Sequence, residues 1–373
     1  MGSRYDLTAF ILLFLGIFSF LFYKNSTESK IYALLFFSTQ ILTFTLINSA
    51  PYYRFISGMV WLGGLLLLLI GGKHIKYNQQ KITKSIIVVL FISGIYIIFQ
   101  SLFLQIERPQ AWFYEPSFAG LCLYSAASGI LLSLIFVKFD KKYKYILTTI
   151  FSILIYAAVL TFSMHFLTFV VSIALFFLLL ITVLLSVDFT KFIIFVIFGL
   201  IIFIIGSSLF LTSHFQSRTD ISDPTNLSLL AWLQGFDQMK ASVIQSPIVG
   251  FGLGSTGYVN FKSDYADMLQ SIGKGDLTLN DAFSLSFRLI IEIGLPFFII
   301  FLVFLKKKMS DFKHYFILCK KRNTNLSFSV VFNFVFSITI ILGCFLKEPL
   351  YPNSFLYLSI FLLASTPLFT KDY

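Results

Sequence analysis

The chain has 373 residues, of which 57% are apolar and only 12% are charged, and it contains 48 Phe. Because a soluble domain is about one-quarter charged, this composition excludes a soluble enzyme and a disordered chain and predicts an integral membrane protein. The formal net charge of +11 lies in short segments between apolar stretches, so it indicates membrane topology and not nucleic-acid binding.

The apolar stretches predict about eleven membrane-spanning helices, since each crossing needs roughly 20 apolar residues. The expected fold class is therefore an all-α integral membrane bundle. The division of 145–187 into two spans at residues 163–165 rests only on the length of that stretch. In chain order, the predicted spans are 6–23, 31–48, 55–72, 85–104, 117–137, 145–163, 166–187, 191–211, 284–305, 328–346 and 353–369.

The distribution of Lys and Arg predicts the orientation. The loops on one side hold 19 of these 28 residues, and the opposite side holds eight, four of them in the long loop 212–283. Long loops count little in the positive-inside rule, so the first side is expected to be cytoplasmic and loop 212–283 to face outward. We predict one membrane domain with spans in 1–211, the outer loop 212–283, and spans in 284–373.

Arginine is rare in this chain and lies mainly on the outer side. Its planar guanidinium binds phosphate or carboxylate through two hydrogen bonds, which a single Lys cannot do. The outward Arg residues therefore indicate a bound anion, and we assign this role to Arg108, Arg218 and Arg288. Arg4 and Arg54 are instead assigned to lipid headgroups or to nearby carboxylates.

The segment 107–117 combines charge, aromatic rings and two prolines in one short outer loop. Pro116 suits the first turn of a helix, and Glu115 would then lie at the N-terminus of that helix, where negative charge is favoured. Alternatively, Glu115 faces a cavity and accepts a proton from a sugar hydroxyl. Trp112 and Tyr114 then offer ring faces to a pyranose.

The long loop contains one helix signal and one glycine-rich segment. Leu227–Ser246 has apolar residues at helical spacing, which predicts an amphipathic helix lying over the membrane mouth. Gly250, Gly252 and Gly254 follow it. They lack the surroundings of a nucleotide-binding motif, so a plain turn and a backbone-lined part of a substrate groove both stay open.

The segment 279–296 leads from the long loop into a span. Arg288 and Glu292 are four residues apart and can form an ion pair. A charge inside the membrane is by default a functional candidate, although a purely structural ion pair also explains the two residues. His165 and His214 stand without other ligands at metal-binding spacing, so neither a metal nor another cofactor is predicted.

Three stretches together resemble the O-antigen polymerase (Wzy) and O-antigen ligase superfamily of bacterial envelope glycosyltransferases. They are the loop with Arg108, Glu115, Pro116 and Ser117, the segment Trp232–Ser255, and the segment Asn280–Pro296 that ends in Glu-Ile-Gly-Leu-Pro. Their order and spacing around the outer loop carry the resemblance. Ligases typically have a His where this chain has Asn280-Asp281, so the departure favours a polymerase.

The resemblance implies a GT-C-like glycosyltransferase fold in the bacterial inner membrane, with the large loop on the periplasmic side. It also implies a metal-independent reaction in which a glycan moves from undecaprenyl pyrophosphate to the sugar end of another lipid-linked unit. The pyrophosphate would be held by Arg108, Arg218 and Arg288, and the base would be Glu115 or Asp281. The implied partners are the lipid-linked oligosaccharide, the bilayer, and further a chain-length regulator and a flippase.

Three other functions stay open from the sequence. A ligase or a related lipid-linked glycan transferase would share most of these features. A polysaccharide flippase or transporter would also have many spans, but it would be expected to show two similar halves, and none is visible. A structural scaffold would tolerate the loss of Arg108 and Arg218.

Overall fold

The computed structural model describes residues 7–22, 27–46, 50–75, 77–163, 165–184, 226–275, 277, 279–348, 351 and 353–365. These residues are helical or irregular, and no strand occurs among them. Two short 3-10 helices occupy Gly72–His74 and Thr256–Tyr258. The α-helices are α1 (Leu7–Phe22), α2 (Thr27–Leu46), α3 (Tyr52–Gly71), α4 (Gln79–Leu102), α5 (Pro116–Phe136), α6 (Lys141–Leu160), α7 (His165–Leu184), α8 (Leu227–Gln245), α9 (Asp264–Ser271), α10 (Leu285–Lys321), α11 (Phe328–Leu346) and α12 (Ser354–Ser365).

The predicted all-helical class is confirmed, and the helices are compatible with a multi-pass membrane protein. The predicted span 191–211 lies outside the described residues, and each other predicted span coincides with a helix. Shorter apolar helices occupy Ala9–Phe22, Lys30–Leu46 and Ser354–Ser365. Within the part of the chain that the structure describes, 6 helices are long and apolar enough to cross a membrane: Tyr52–His74, Gln79–Leu102, Pro116–Phe136, Lys141–Leu160, Leu285–Lys321 and Phe328–Leu346.

The predicted division of the 145–187 stretch is confirmed, since α6 ends at Leu160 and α7 begins at His165. The turn between them contains Phe162 at φ 48°. Ser163 serves both sides of the turn: its hydroxyl accepts the backbone N–H of His165 (3.2 Å) and donates to the backbone carbonyl of Ser117 (3.2 Å). A polar turn therefore interrupts what the composition alone presents as one apolar stretch.

The chain divides into two compact units, each built from segments that are distant in the sequence. The first unit comprises Met1–His74, Phe203–Lys306 and Cys344–Tyr357. The second comprises Ile75–Ile202, Lys307–Gly343 and Leu358–Tyr373.

In the first unit, α1 packs closely against α3 through small residues. A Cβ added at Gly16 would lie 2.9 Å from the Cβ of Leu68, and a Cβ added at Gly71 would overlap the side chain of Ser19. Small residues at such positions let two apolar helices approach and gain van der Waals contact, which is a common means of helix association in membranes. These contacts join α1 to the C-terminal end of α3, whereas the candidate site lies at the N-terminal end of α3.

In the second unit, α5 is the central helix and is buried along most of its length. Its serines are accommodated in this apolar environment because each hydroxyl donates to the carbonyl four residues earlier, which satisfies the polar group within its own helix. The three bonds are Ser125 to Leu121 (2.7 Å), Ser128 to Tyr124 (2.9 Å) and Ser133 to Gly129 (2.7 Å).

Helix α8 confirms the helix predicted over 227–246, and the Asn226 side chain caps it by accepting the N–H of Leu229. The face that α8 buries differs from the apolar face seen in the sequence, because Phe236 is exposed. The buried face carries polar residues four apart, namely Gln234, Gln238 and Ser242. Of these three, Gln238 donates hydrogen bonds to the loop carbonyl groups of Thr256 and Leu279.

Candidate anion-binding site

Helix α10 is interrupted at Gly294, inside the first unit. Gly294 has φ 78° and ψ 171°, a conformation essentially restricted to glycine. The residue two positions later, Pro296, has no backbone N–H to donate. The carbonyl groups of Ile291 and Glu292 therefore lose the partners that an unbroken helix would give them four residues later.

The glycine-rich loop 246–257 supplies the missing partners. Gly250 has φ 67°, and a Cβ there would lie 2.6 Å from the carbonyl oxygen of Ile291, so only glycine permits this approach. Three backbone bonds join the loop to the break: Phe251 N–H to Ile291 O (2.8 Å), Gly252 N–H to Glu292 O (3.0 Å) and Leu295 N–H to Pro247 O (3.0 Å). Gly250 and Gly252 thus have a packing function, and their predicted contact with substrate stays a prediction.

The side chain of Glu292 is fully buried two residues before the break and accepts three hydrogen bonds. Its Oε1 accepts from Arg288 Nε (3.0 Å) and from Thr256 Oγ1 (2.8 Å), and its Oε2 accepts from the hydroxyl of Tyr351 (2.8 Å). The predicted pairing of Arg288 with Glu292 is therefore confirmed. Three donors fix the carboxylate, and the carboxylate in turn fixes the guanidinium.

Tyr351 contributes to this cluster in two ways. Its ring centroid lies 4.1 Å from the Cζ atom of Arg288, a cation–π contact. Burial, and then the adjacent Glu292 carboxylate, raise the pKa of Tyr351 well above its ordinary value of 10.0. The phenol therefore remains a hydrogen-bond donor throughout the physiological pH range.

A second arginine, Arg54, lies in the first turn of α3. Its Nη1 donates to Oδ1 of Asn280 (2.5 Å), and its Cζ lies 5.6 Å from the ring centroid of Tyr258. Gly254 packs on its backbone, since a Cβ at that glycine would lie 2.7 Å from the Cβ of Arg54. Among the described residues the hydrogen-bond partner of Arg54 is therefore a neutral amide and not a carboxylate, and its assignment to lipid headgroups stays a prediction.

The two arginines line one cavity of about 300 Å³ in the first unit. The other residues that line this cavity are polar or lack a side chain, and none is acidic. Together with Arg54 and Arg288, the lining consists of Tyr53, Ser57, Gly254 and Asn280.

The electrostatics of this cavity favour an anion. Arg54 is the third residue of α3 and Arg288 is the fourth residue of α10, so the positive ends of two helix dipoles add to the two guanidinium charges. Glu292 balances one of these charges. The charge of Asp281 also acts on Arg288. Arg54, whose hydrogen-bond partner is the neutral Asn280 amide, is therefore the cation that a phosphate or carboxylate in the cavity would balance, and helix N-termini are common sites for such groups.

Two residues next to the cavity support its walls. Asp281 is half-buried, its Oδ1 accepts the N–H of Phe283 (3.1 Å), and its charge interacts favourably with Arg288. Gln238 of α8 is buried and donates through Nε2 to the carbonyl groups of Thr256 and Leu279 (3.2 Å for Leu279). Gln238 therefore ties together the two loop segments that carry Gly254 and Asn280.

The loop that holds Arg108 and Glu115 belongs to the second unit. It is fixed by Gln100, whose Oε1 accepts the N–H groups of Gln110 (3.2 Å) and Ala111 (2.8 Å). The ring of Trp112 is half-exposed and stacks on Tyr96, with 6.0 Å between centroids. Tyr114 is also half-exposed. These rings are available to a ligand, and their contact with sugar stays a prediction.

Glu115 occupies the N-cap position of α5, with Pro116 as the first helical residue, as predicted. Its carboxylate makes no capping hydrogen bond and is exposed, so a favourable interaction of its charge with the helix N-terminus and a role as base both stay predictions. Arg108 is half-buried, and its Nε atom is buried without a hydrogen-bond partner among the described residues. Arg218 lies outside the described residues. The anion-binding roles of Arg108 and Arg218 stay predictions.

The sequence analysis missed Arg54, Tyr53, Ser57 and Gln238 as site residues. A usable signal existed for Arg54, because Arg is uncommon in this Lys-rich chain and Arg54 follows Pro51 at a helix start. Comparison with known proteins adds no assignment: no protein-family model matches the chain, and no curated protein is significantly similar to it.

Proposed function

We propose that the chain is a membrane-embedded, metal-independent glycosyltransferase that polymerises lipid-linked oligosaccharide units. The donor is a glycan on undecaprenyl pyrophosphate, and the acceptor is the sugar end of a second lipid-linked unit. The observation that carries the proposal is the cavity that Arg54 and Arg288 line without any acidic residue. A diphosphate diester has the charge and the oxygen geometry that two guanidinium groups bind well.

The reaction follows from this charge arrangement. The bond between the sugar C1 and the pyrophosphate oxygen breaks, while the acceptor hydroxyl oxygen forms a new bond to C1. Negative charge develops on the leaving pyrophosphate, and cations already positioned at that point stabilise it without reorganisation. Arg288 is positioned by Glu292, Thr256 and Tyr351.

The acceptor proton goes to a base, for which the candidates are Glu115 and Asp281. Both isosteric amides should leave the fold intact, since Glu115 makes no capping bond and an Asn at 281 can still accept the Phe283 N–H. Amide substitution of the residue that is the base should lower the turnover rate by about 10²- to 10⁴-fold. If Glu115→Gln and Asp281→Asn both polymerise at the parental rate, neither carboxylate is the base.

The proposed location is the bacterial inner membrane, with loop 212–283 on the periplasmic side. This follows from the excess of Lys and Arg in the other loops. Helix α8 belongs to that loop, and the exposure of Phe236 is compatible with an apolar face turned to the membrane surface. A chain-length regulator and a flippase that delivers the lipid-linked unit are the proposed partners.

The test is incubation of the purified protein with one lipid-linked repeat unit, followed by separation of the products by length. A ladder of products supports a polymerase. Transfer only to a separate lipid acceptor would indicate a ligase, and movement of the unit across a vesicle membrane without a new glycosidic bond would indicate a flippase. Either of these last two results overturns the proposal.

Variants connect this reaction to the cavity. Arg54→Lys and Arg288→Lys keep the charge but lose the two-pronged hydrogen bonding, so each should lower turnover by about 10- to 100-fold. Arg322→Lys is the matched control, because Arg322 is exposed at the end of α10 and far along the chain from the cavity residues. Unchanged turnover in both cavity variants would refute the assignment of this cavity to the pyrophosphate.

A further inference from the structure

The cavity has two chemically different parts. Arg54 and Arg288 supply its charge, whereas Tyr53, Ser57 and Asn280 are neutral and polar. A site for a bare diphosphate has no need of an aromatic ring, a hydroxyl and an amide in addition to two guanidinium groups. These three residue types are the ones that bind sugars, since the ring face packs on C–H groups and the polar atoms bond to hydroxyl groups.

Helix α3 presents two of these residues together with the arginine. Tyr53 and Ser57 are four residues apart and so share a helix face, and Arg54 lies between them in sequence. Tyr53 is 68% exposed and packs into no core of its own unit. Its position in the cavity wall is therefore not explained by folding.

Asn280 links the neutral part to the charged part. Its Oδ1 accepts from Arg54 Nη1 and would touch a Cβ added at Gly257. The amide oxygen is thus engaged, and the Nδ2 group is left as a donor to a ligand. A sugar hydroxyl or an acetamido carbonyl next to the diphosphate would accept this bond.

We propose that Tyr53, Ser57 and Asn280 form a subsite for the first sugar, the one attached directly to the diphosphate. This inference rests on the proposed function, because it places the diphosphate at Arg54 and Arg288. The cavity volume of about 300 Å³ is at the lower limit for small-molecule sites, a size that suits a diphosphate with one sugar.

The test is a binding measurement with two soluble diphosphate diesters of equal charge: farnesyl diphosphate esterified with methanol at its terminal phosphate, and the same lipid diphosphate carrying one N-acetylhexosamine in place of the methyl group. Purified full-length protein should bind the glycosylated probe more tightly than the bare one. Tyr53→Leu and Ser57→Ala should each weaken binding of the glycosylated probe by about tenfold, and they should leave binding of the methyl diester unchanged.

Tyr52→Leu is the matched control, because Tyr52 is the neighbouring residue, is 67% exposed and does not line the cavity. Equal binding of the two probes by the parent protein would overturn the sugar subsite and leave the diphosphate site intact. Equal losses for both probes in Tyr53→Leu and Ser57→Ala would also overturn it. Failure to bind either probe would instead remove the proposed function together with the subsite.

Discussion

Removal of the Glu292 carboxylate should destabilise the protein more than removal of the whole ion pair. In Glu292→Leu, three donors that now reach the carboxylate lose their acceptor, namely Arg288, Thr256 and Tyr351. An uncompensated buried charge typically costs about 3–5 kcal/mol. Because the Arg288 side chain retains 16% exposure, water reaches part of it, and we expect the lower end, about 3 kcal/mol.

The double variant Arg288→Met with Glu292→Leu removes both charges and keeps comparable volume. Replacing a buried ion pair with well-packed apolar residues is often neutral or stabilising, but Thr256 and Tyr351 still lose their acceptor in this variant. Its free energy of unfolding should therefore lie between those of Glu292→Leu and the parent, about 1–2 kcal/mol below the parent. It should nevertheless fail to bind farnesyl diphosphate, since the Arg288 guanidinium is absent. Comparison of the single and the double variant therefore distinguishes the effect of these residues on stability from their effect on anion binding.

The assay is equilibrium unfolding of the purified protein in mixed micelles, with farnesyl diphosphate binding measured on the folded fraction. If Glu292→Leu is as stable as the double variant, the unpaired Arg288 does not destabilise the protein, and the argument that the Glu292 carboxylate holds Arg288 in position is refuted. If the double variant still binds the probe as tightly as the parent, the anion site lies elsewhere.

Three further predictions concern the break in α10, the membrane topology and the pKa of Tyr351. Gly294→Ala should lower the free energy of unfolding by at least about 3 kcal/mol, because the backbone is strained for Ala and the new Cβ overlaps the Ile248 carbonyl. Gly273→Ala is the control, since Gly273 also has positive φ but faces open space, and it should cost about 1 kcal/mol. Thermal unfolding measures both variants. A cysteine at the exposed position Asn260 should react with an impermeant thiol reagent in intact spheroplasts, and the native Cys319 should react only after lysis; the reverse order contradicts the topology. The pKa of Tyr351 is raised in the folded protein, so its contribution to stability is complete below about pH 10 and is lost as the pH rises toward the folded-state pKa, because the phenol then ionises in the unfolded chain first. Tyr351→Phe should therefore lose less stability above pH 10 than the parent does.

The features predicted correctly from the sequence depend on residues close together in the chain. An apolar run of about 20 residues specifies a helix because a bilayer crossing has that length. The ion pair between Arg288 and Glu292 follows from their spacing of four on a helix. The start of α5 at Pro116 follows from the fixed φ of proline.

The features that were missed depend on residues that are distant in the chain. Arg54 and Asn280 are 226 residues apart, and no periodicity links them. Helix α8 was assigned by its apolar spacing, yet its buried face carries Gln234 and Gln238. Gln238 is buried because it donates to the loop carbonyl groups of Thr256 and Leu279, and the local sequence pattern contains no information about those distant groups.

The glycine-rich loop 246–257 determines the distance between Arg54 and Arg288. Its residue Gly252 closes the break in α10 through the Glu292 carbonyl, and Thr256, four residues later, donates to the Glu292 side chain that fixes Arg288. Between them, Gly254 packs on the backbone of Arg54. The break in α10 is therefore part of the anion site, because the backbone groups it frees anchor the loop that positions both guanidinium groups. A regular helix at this point would satisfy its own carbonyl groups and would leave that loop without its attachment.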